Sequence, residues 1–289
     1  MNSNPAITLA ESAQLVRKSI PSDGLFAGHE WRISPAPFAL GAPLAKELET
    51  LGRVLLQFNR AVNLLYRKSV EGKQPEWIAQ LLDQGKPAEL IELQRHATFK
   101  NEIPRVIRPD ILLTENGFSI TELDSVPGGI GLTAWLGKTY SGVRSQESGE
   151  IIGGADGMLR GFESIFGDAK NVHIIVSEEA ATYRPEMEWV AEQLDSSKFK
   201  VQSSKFSEFQ DGDAVYRFFE LFDLANVANA KQIFQLASEK KIRLTPPPKP
   251  IFEEKLLFAL LWNRNLRDFW RQELGEGFLT RLQKIIPYT

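Results

Sequence analysis

The chain contains no cysteine, which removes disulfides, thiolate-bound zinc, iron–sulfur clusters and a cysteine nucleophile from consideration. Histidine is nearly as scarce. His29, His96 and His173 are the only three, and none has a second histidine three to five residues away, so an imidazole metal site has no supporting spacing. An excess of one charge is also lacking. Lys and Arg number 34 against 37 Asp and Glu, a net charge of −3, too near neutral to mark nucleic acid or an anionic membrane as the main partner. No run approaches the ~20 apolar residues that a membrane span requires. The first residues carry their Lys and Arg late and have no sustained apolar core, unlike a secretory leader. A cytoplasmic protein with no membrane and no nucleic-acid partner is therefore expected. No internal repeat is visible, and the one biased tract is the Pro-rich stretch Thr245–Pro250.

What is present is ordinary globular material: 289 residues, 43% hydrophobic and 10% aromatic, enough for one large domain or two modest ones. Residues 1–40 show no clear periodicity and read as an irregular arm. From Pro43 to about Arg67 apolar residues recur at helical spacing (Leu44, Leu48, Leu51, Val54, Leu55, Phe58, Val62, Leu65). Two shorter helices are expected over 75–84 and 87–97, then a β-hairpin over Val106–Asp124 with its turn at Glu-Asn-Gly. A glycine-containing loop leads into a helix beginning near Thr133, and another helix covers 155–166. Beyond that, strands alternate with helices: Val172–Ser177, Phe199–Gln202, Ala214–Arg217 and Ile242–Leu244 between helices at Pro185–Leu194 and Val227–Lys240. Such alternation argues for parallel βαβ units. A single long helix is expected from Phe252 to about Leu274. The expected fold is α/β, with a helical N-terminal part and hairpin over 1–150 and a small parallel βαβ unit with C-terminal helices over 151–289.

Chemistry concentrates in the hairpin. Arg108, Asp110, Glu122 and Asp124 interrupt strands otherwise made of Ile, Leu and Phe. Two registers are open. A two-residue turn at Asn116-Gly117 places Asp110 opposite Leu123 and points it away from Glu122 and Asp124. A three-residue turn with Gly117 in a bulge places Asp110 opposite Glu122 and Arg108 opposite Asp124. Opposed Cβ atoms then lie ~4.5–5.5 Å apart, close enough for carboxylates to converge on one cation. Crowded carboxylates raise one another's pKa unless a cation neutralises them. Mg²⁺, which joins a few carboxylates to substrate phosphates, suits that role; a solvated hairpin face with a cross-strand ion pair is the other reading. The amides of Gly128 and Gly129, just before a helix, offer a nest for a substrate carboxylate, and Ser125 offers a hydroxyl. The stretch Gly131–Thr139 is no P-loop, because its glycines bracket five residues rather than four. His173, on an apolar strand, reads as a hydrogen-bonded core residue.

The spacing Arg108-Pro-Asp110, eleven residues, then Glu122-Leu-Asp124 resembles a motif of the circularly permuted ATP-grasp ligases similar to glutathionylspermidine synthase. There the pattern is Arg-x-Asp…Glu-x-Asn. The resemblance implies that Asp110, Glu122 and Asp124 hold Mg²⁺ on ATP and that Arg108 stabilises the transferring phosphoryl group. It also implies an activity: ATP-dependent joining of a small-molecule or peptide carboxylate to an amine through an acyl phosphate. Asp124 departs from the pattern by adding a charge where the family has Asn. Asp213–Arg217 with the helix and strand after it, and Glu253–Trp262, resemble the region before the nucleotide lobe. On this resemblance the chain lacks the phosphate-holding lysines of that lobe, and either an incomplete ligase or a non-catalytic binding or scaffold protein on the same fold is expected.

Overall fold

A computed structural model describes residues 8–26, 30–142 and 150–289. The arm expected to be irregular begins with a helix, α1 (Leu9–Ser19), fixed by a capping box in which Thr8 and Glu11 satisfy each other's backbone amides. The signal lies in capping chemistry, Thr-x-x-Glu, where apolar periodicity is weak. The helix α2 (Ala42–Val70) carries Pro43 in its first turn and buries Leu51, Val54, Phe58, Val62 and Leu65. It is followed by α3 (Trp77–Asp83) and α4 (Ala88–Arg95).

The hairpin comprises β1 (Arg108–Thr114) and β2 (Gly117–Asp124), after which come α5 (Ile130–Gly142) and α6 (Gly157–Ser164). The second half winds a parallel sheet: β3 (Val172–Val176), α7 (Arg184–Leu194), β4 (Phe199–Ser203), β5 (Ala214–Phe218), α8 (Ala230–Ser238) and β6 (Arg243–Thr245). Its strand order is β4-β3-β5-β6, all neighbours parallel. Every residue of β3 and β5 is buried, as central strands covered on both faces must be. The chain order reverses between β3 and β5, so the carboxyl ends of these two strands border the crevice where open α/β sheets take ligands.

The long helix expected from Phe252 is broken. Asn263 accepts the amide of Asn265 and turns the chain, separating α9 (Leu256–Trp262) from α10 (Arg267–Ile285), and Gly275 at φ 71° kinks α10 again. Periodicity alone runs these pieces together because the apolar face continues across the cap.

Four apolar clusters result among the described residues, the smallest joining Val16 of α1 to Trp135 of α5. The first joins α2, α3, α9 and α10 to Phe118 and Ile120 of β2. The second packs Ile130 and Ala134 of α5, Leu159 and Phe162 of α6, and Met187 and Val190 of α7 against one face of the sheet. The third packs α8, Leu90 and Phe99 against Ile175 and Val215 on the other face. The first two both draw on residues from each side of position 150. The boundary expected near 145–155 overlaps residues 143–149, which lie outside the described residues. No described helix is long and apolar enough to cross a membrane.

Candidate functional site

The hairpin adopts neither of the two registers in full. Its turn is Glu115-Asn116, with Thr114 opposite Gly117 and Ile111 opposite Ile120. Below that point the register shifts, and Asp110 stands opposite Glu122 and Arg108 opposite Asp124. The extra residue is Thr121 on β2, so the bulge expected in the turn lies within the strand instead.

That bulge decides what faces the core. In an unbroken strand Glu122 and Asp124 would follow Phe118 and Ile120 inward, because side chains alternate with period two. The added residue reverses the alternation. Leu123 now packs on the first core, as do Ile111 of the facing strand and Ile107 just before it, and the charged residues take the other side.

There Arg108 is the hub. Its Nε donates to Asp110 Oδ1 at 3.1 Å, its Nη1 to the carbonyl of Gly128 at 3.0 Å, and its Nη2 lies 3.1 Å from Asp124 Oδ2. Asp124 Oδ1 also accepts the amide of Val126 at 2.8 Å. Burial nonetheless holds the Asp124 carboxyl above its usual range, with Glu122 and Asp110 adding to the rise. Glu122 pairs with Lys255, from the segment before α9, at 2.9 Å.

Among the described residues no three His, Asp or Glu side chains are grouped to hold a metal ion by themselves. A protein-only cage is therefore not what the hairpin offers. A Mg²⁺ ion carried on phosphates needs only one or two carboxylates, and the opposed Asp110 and Glu122, with 43% and 39% of their side chains exposed, match that donor set in kind and number.

The glycine loop departs from the sequence-based expectation. The carboxylate of Glu186, on α7, lies against the amides of Gly129, Ile130 and Gly131, accepting from Gly131 at 2.9 Å. The anion over these amides is thus one of the chain's own: Gly129 faces Glu186 where a substrate carboxylate was expected, while Gly128 turns its carbonyl to Arg108. Burial raises the Glu186 pKa against the pull of those amides. Gly128 has a steric role: a Cβ there would collide with the Tyr183 ring. Ser125 is 3% exposed, and its Oγ has no hydrogen-bond partner, so a buried hydroxyl remains open at the end of β2.

A further acidic pair lies at the carboxyl end of β5. Glu220 is pushed up to about 8, first by burial and then by Glu253, with which it shares a hydrogen bond. Glu253 is in turn held by Arg217 Nη2 at 2.6 Å and by the amide of Leu221 at 3.0 Å. Arg217, 1% exposed, also donates to the carbonyls of Pro246, Phe219 and Pro247. It is a structural clamp on the Pro-rich stretch. His173 is a core residue, 2.9 Å from Asp213 Oδ2 and stacked on Phe206. Glu186, Glu220 and Lys255 do not stand out as site residues in the sequence, because each arrives from an element distant in the chain and carries no local motif.

No protein-family model matches this chain, and no curated protein matches it. Its architecture is similar to that of a solved structure, a glutathione synthetase-like effector (GSS30) from Globodera pallida in its apo form. The similarity has a TM-score of 0.56 at 12% identity and covers 99% of this chain and 72% of that one. At that identity it speaks for the fold alone, a mixed α/β architecture.

Proposed function

We propose that the chain is, or forms part of, an ATP- and Mg²⁺-dependent ligase that joins a small-molecule or peptide carboxylate to an amine. The observation that carries this reading is the bulge at Thr121, which sets Asp110 opposite Glu122 and Arg108 opposite Asp124 on the face away from the core. Bulges re-aim side chains at functional sites, and the similarity in fold to a glutathione synthetase-like protein gives the turned-out carboxylates a use.

In this reading Asp110 and Glu122 hold the ion, and Asp124 anchors Arg108 beside it. Bound Mg²⁺ supplies charge neutralisation on the phosphates. Arg108 presents its guanidinium to the transferring phosphoryl group. Ser125, with its unpartnered hydroxyl, donates to the carboxylate substrate. No side-chain nucleophile is required, in keeping with a chain free of cysteine.

A second reading is favoured by the ion pairs themselves. Arg108 and Lys255 already engage all three carboxylates, the arrangement expected of a binding or scaffold protein that keeps the fold without the chemistry.

Calorimetric titration of Mn²⁺ with and without a non-hydrolysable ATP analogue separates the two. The ligase reading expects the analogue to create a Mn²⁺ site that D110N/E122Q/D124N abolishes while melting as the parent does. No binding under either condition, or equal binding by the triple variant, overturns it.

A further inference from the structure

A cavity of about 700 Å³ opens between α5, α6, the segment 105–107 leading into β1, and Pro37–Phe38. Its walls are apolar, with Val106, Ile107, Ile130, Ala134, Met158 and Phe162 among them. Five glycines, Gly137, Gly153, Gly154, Gly157 and Gly161, line it. A Cβ added at Gly157 or Gly161 would meet nothing within 4 Å. Mostly apolar clefts of ~300–1,000 Å³ with a few placed polar groups are the usual form of small-molecule sites.

The rim carries a second, separate sign. Phe38, Ile152, Met158 and Leu136 are 75%, 48%, 39% and 37% exposed, four large apolar side chains left in water around one opening. Such clustering marks a binding surface, whereas single exposed apolar residues do not. Arg105 is the one charged lining residue among those described. Its Nη1 donates to the carbonyl of Ile165 at 3.2 Å, and its Nη2 lies 3.9 Å from Glu102, a long and half-exposed contact. The guanidinium is thereby oriented at the cavity edge with donors to spare.

We propose that this cavity binds a small amphiphilic carboxylate, its apolar body between α5 and α6 and its carboxylate on Arg105. A single cation at the edge of an apolar chamber selects a monoanion over a neutral molecule of the same shape. The site is separate from the charged hairpin face and does not depend on the ligase reading. It shares with that face only neighbours in sequence, Ile107 beside Arg108 and Ile130 beside Gly129.

Calorimetry with decanoate, and with decanol as the uncharged control, tests this on the full chain. The parent should bind decanoate more tightly than decanol. Filling the space with Gly161→Leu should weaken both at least tenfold while melting no lower than the parent, since glycine is unfavourable inside a helix. Gly157→Leu carries the same test should the first variant fold poorly. Arg105→Gln should weaken decanoate about tenfold and leave decanol unchanged. Absence of binding by the parent, or undiminished binding by both filled variants, overturns the site. Equal effects of Arg105→Gln on the two ligands overturn the carboxylate assignment.

Discussion

Glu186 accepts the amide hydrogen of Gly131 at 2.9 Å across 55 residues of sequence, so that a side chain of α7 caps the head of α5. The interaction ties the glycine loop after the hairpin to the parallel sheet's helical layer, and through Gly128 it reaches Arg108.

Removing that cap leaves buried amides without an acceptor. Glu186→Ala should cost about 1–3 kcal/mol in urea denaturation, and Glu186→Gln, which keeps one acceptor oxygen, clearly less. Equal losses for the two variants would show that the carboxylate is not what those amides need.

The protonated Glu220 gives a pH signature. Its folded pKa, about 8, stands above the ordinary 4.5, so between those values the native state holds a proton that the unfolded chain has released. Stability therefore falls as pH rises through this window, and the contribution is fully present only below it. Glu220→Gln keeps a neutral hydrogen-bond donor toward Glu253 and has no proton to lose. Denaturation measured at about pH 5 and about pH 7 should show a smaller decline for the variant than for the parent. An unchanged slope would place the titrating group elsewhere. Lys249 works in the opposite sense, burial having lowered it to about 7, and for that reason the comparison stops near neutrality.

Gly128→Ala drives a methyl group into the Tyr183 ring. Overpacking of this kind costs about 1–3 kcal/mol. Tyr183→Ala in the same chain should recover most of the loss, an interaction energy that a double-mutant cycle reads directly. Simple additivity would mean that the loop, not the ring, gives way.

The sequence shows the parallel sheet well, because VHIIV and AVYRF are short, mostly apolar runs rich in β-branched and aromatic residues, set between helical segments. It shows the hairpin too, but not the source of its register. A bulge at Thr121 has no signature as local as an Asn-Gly turn, and the arrangement is fixed by Leu123 finding the core. Helix α1 is written in its capping box and invisible to periodicity. The break at Asn263 is hidden because apolar residues continue on either side of it. At the site, Arg108 and the three acids are legible as neighbours in the chain, whereas Glu186 and Lys255 reach them by tertiary packing. The glycine loop shows the same limit: local sequence suggests amides for an anion, but not that Glu186 arrives from α7 to meet those of Gly129, Ile130 and Gly131.

The irregularity in β2 separates the hairpin into two functional zones. The acidic base is locked by Leu123, while Leu112, Leu113, Thr114, Glu115 and Asn116 beyond it are exposed. The tip is therefore a natural place to graft a fluorophore or an epitope, where a reporter can sense the charged face without disturbing it.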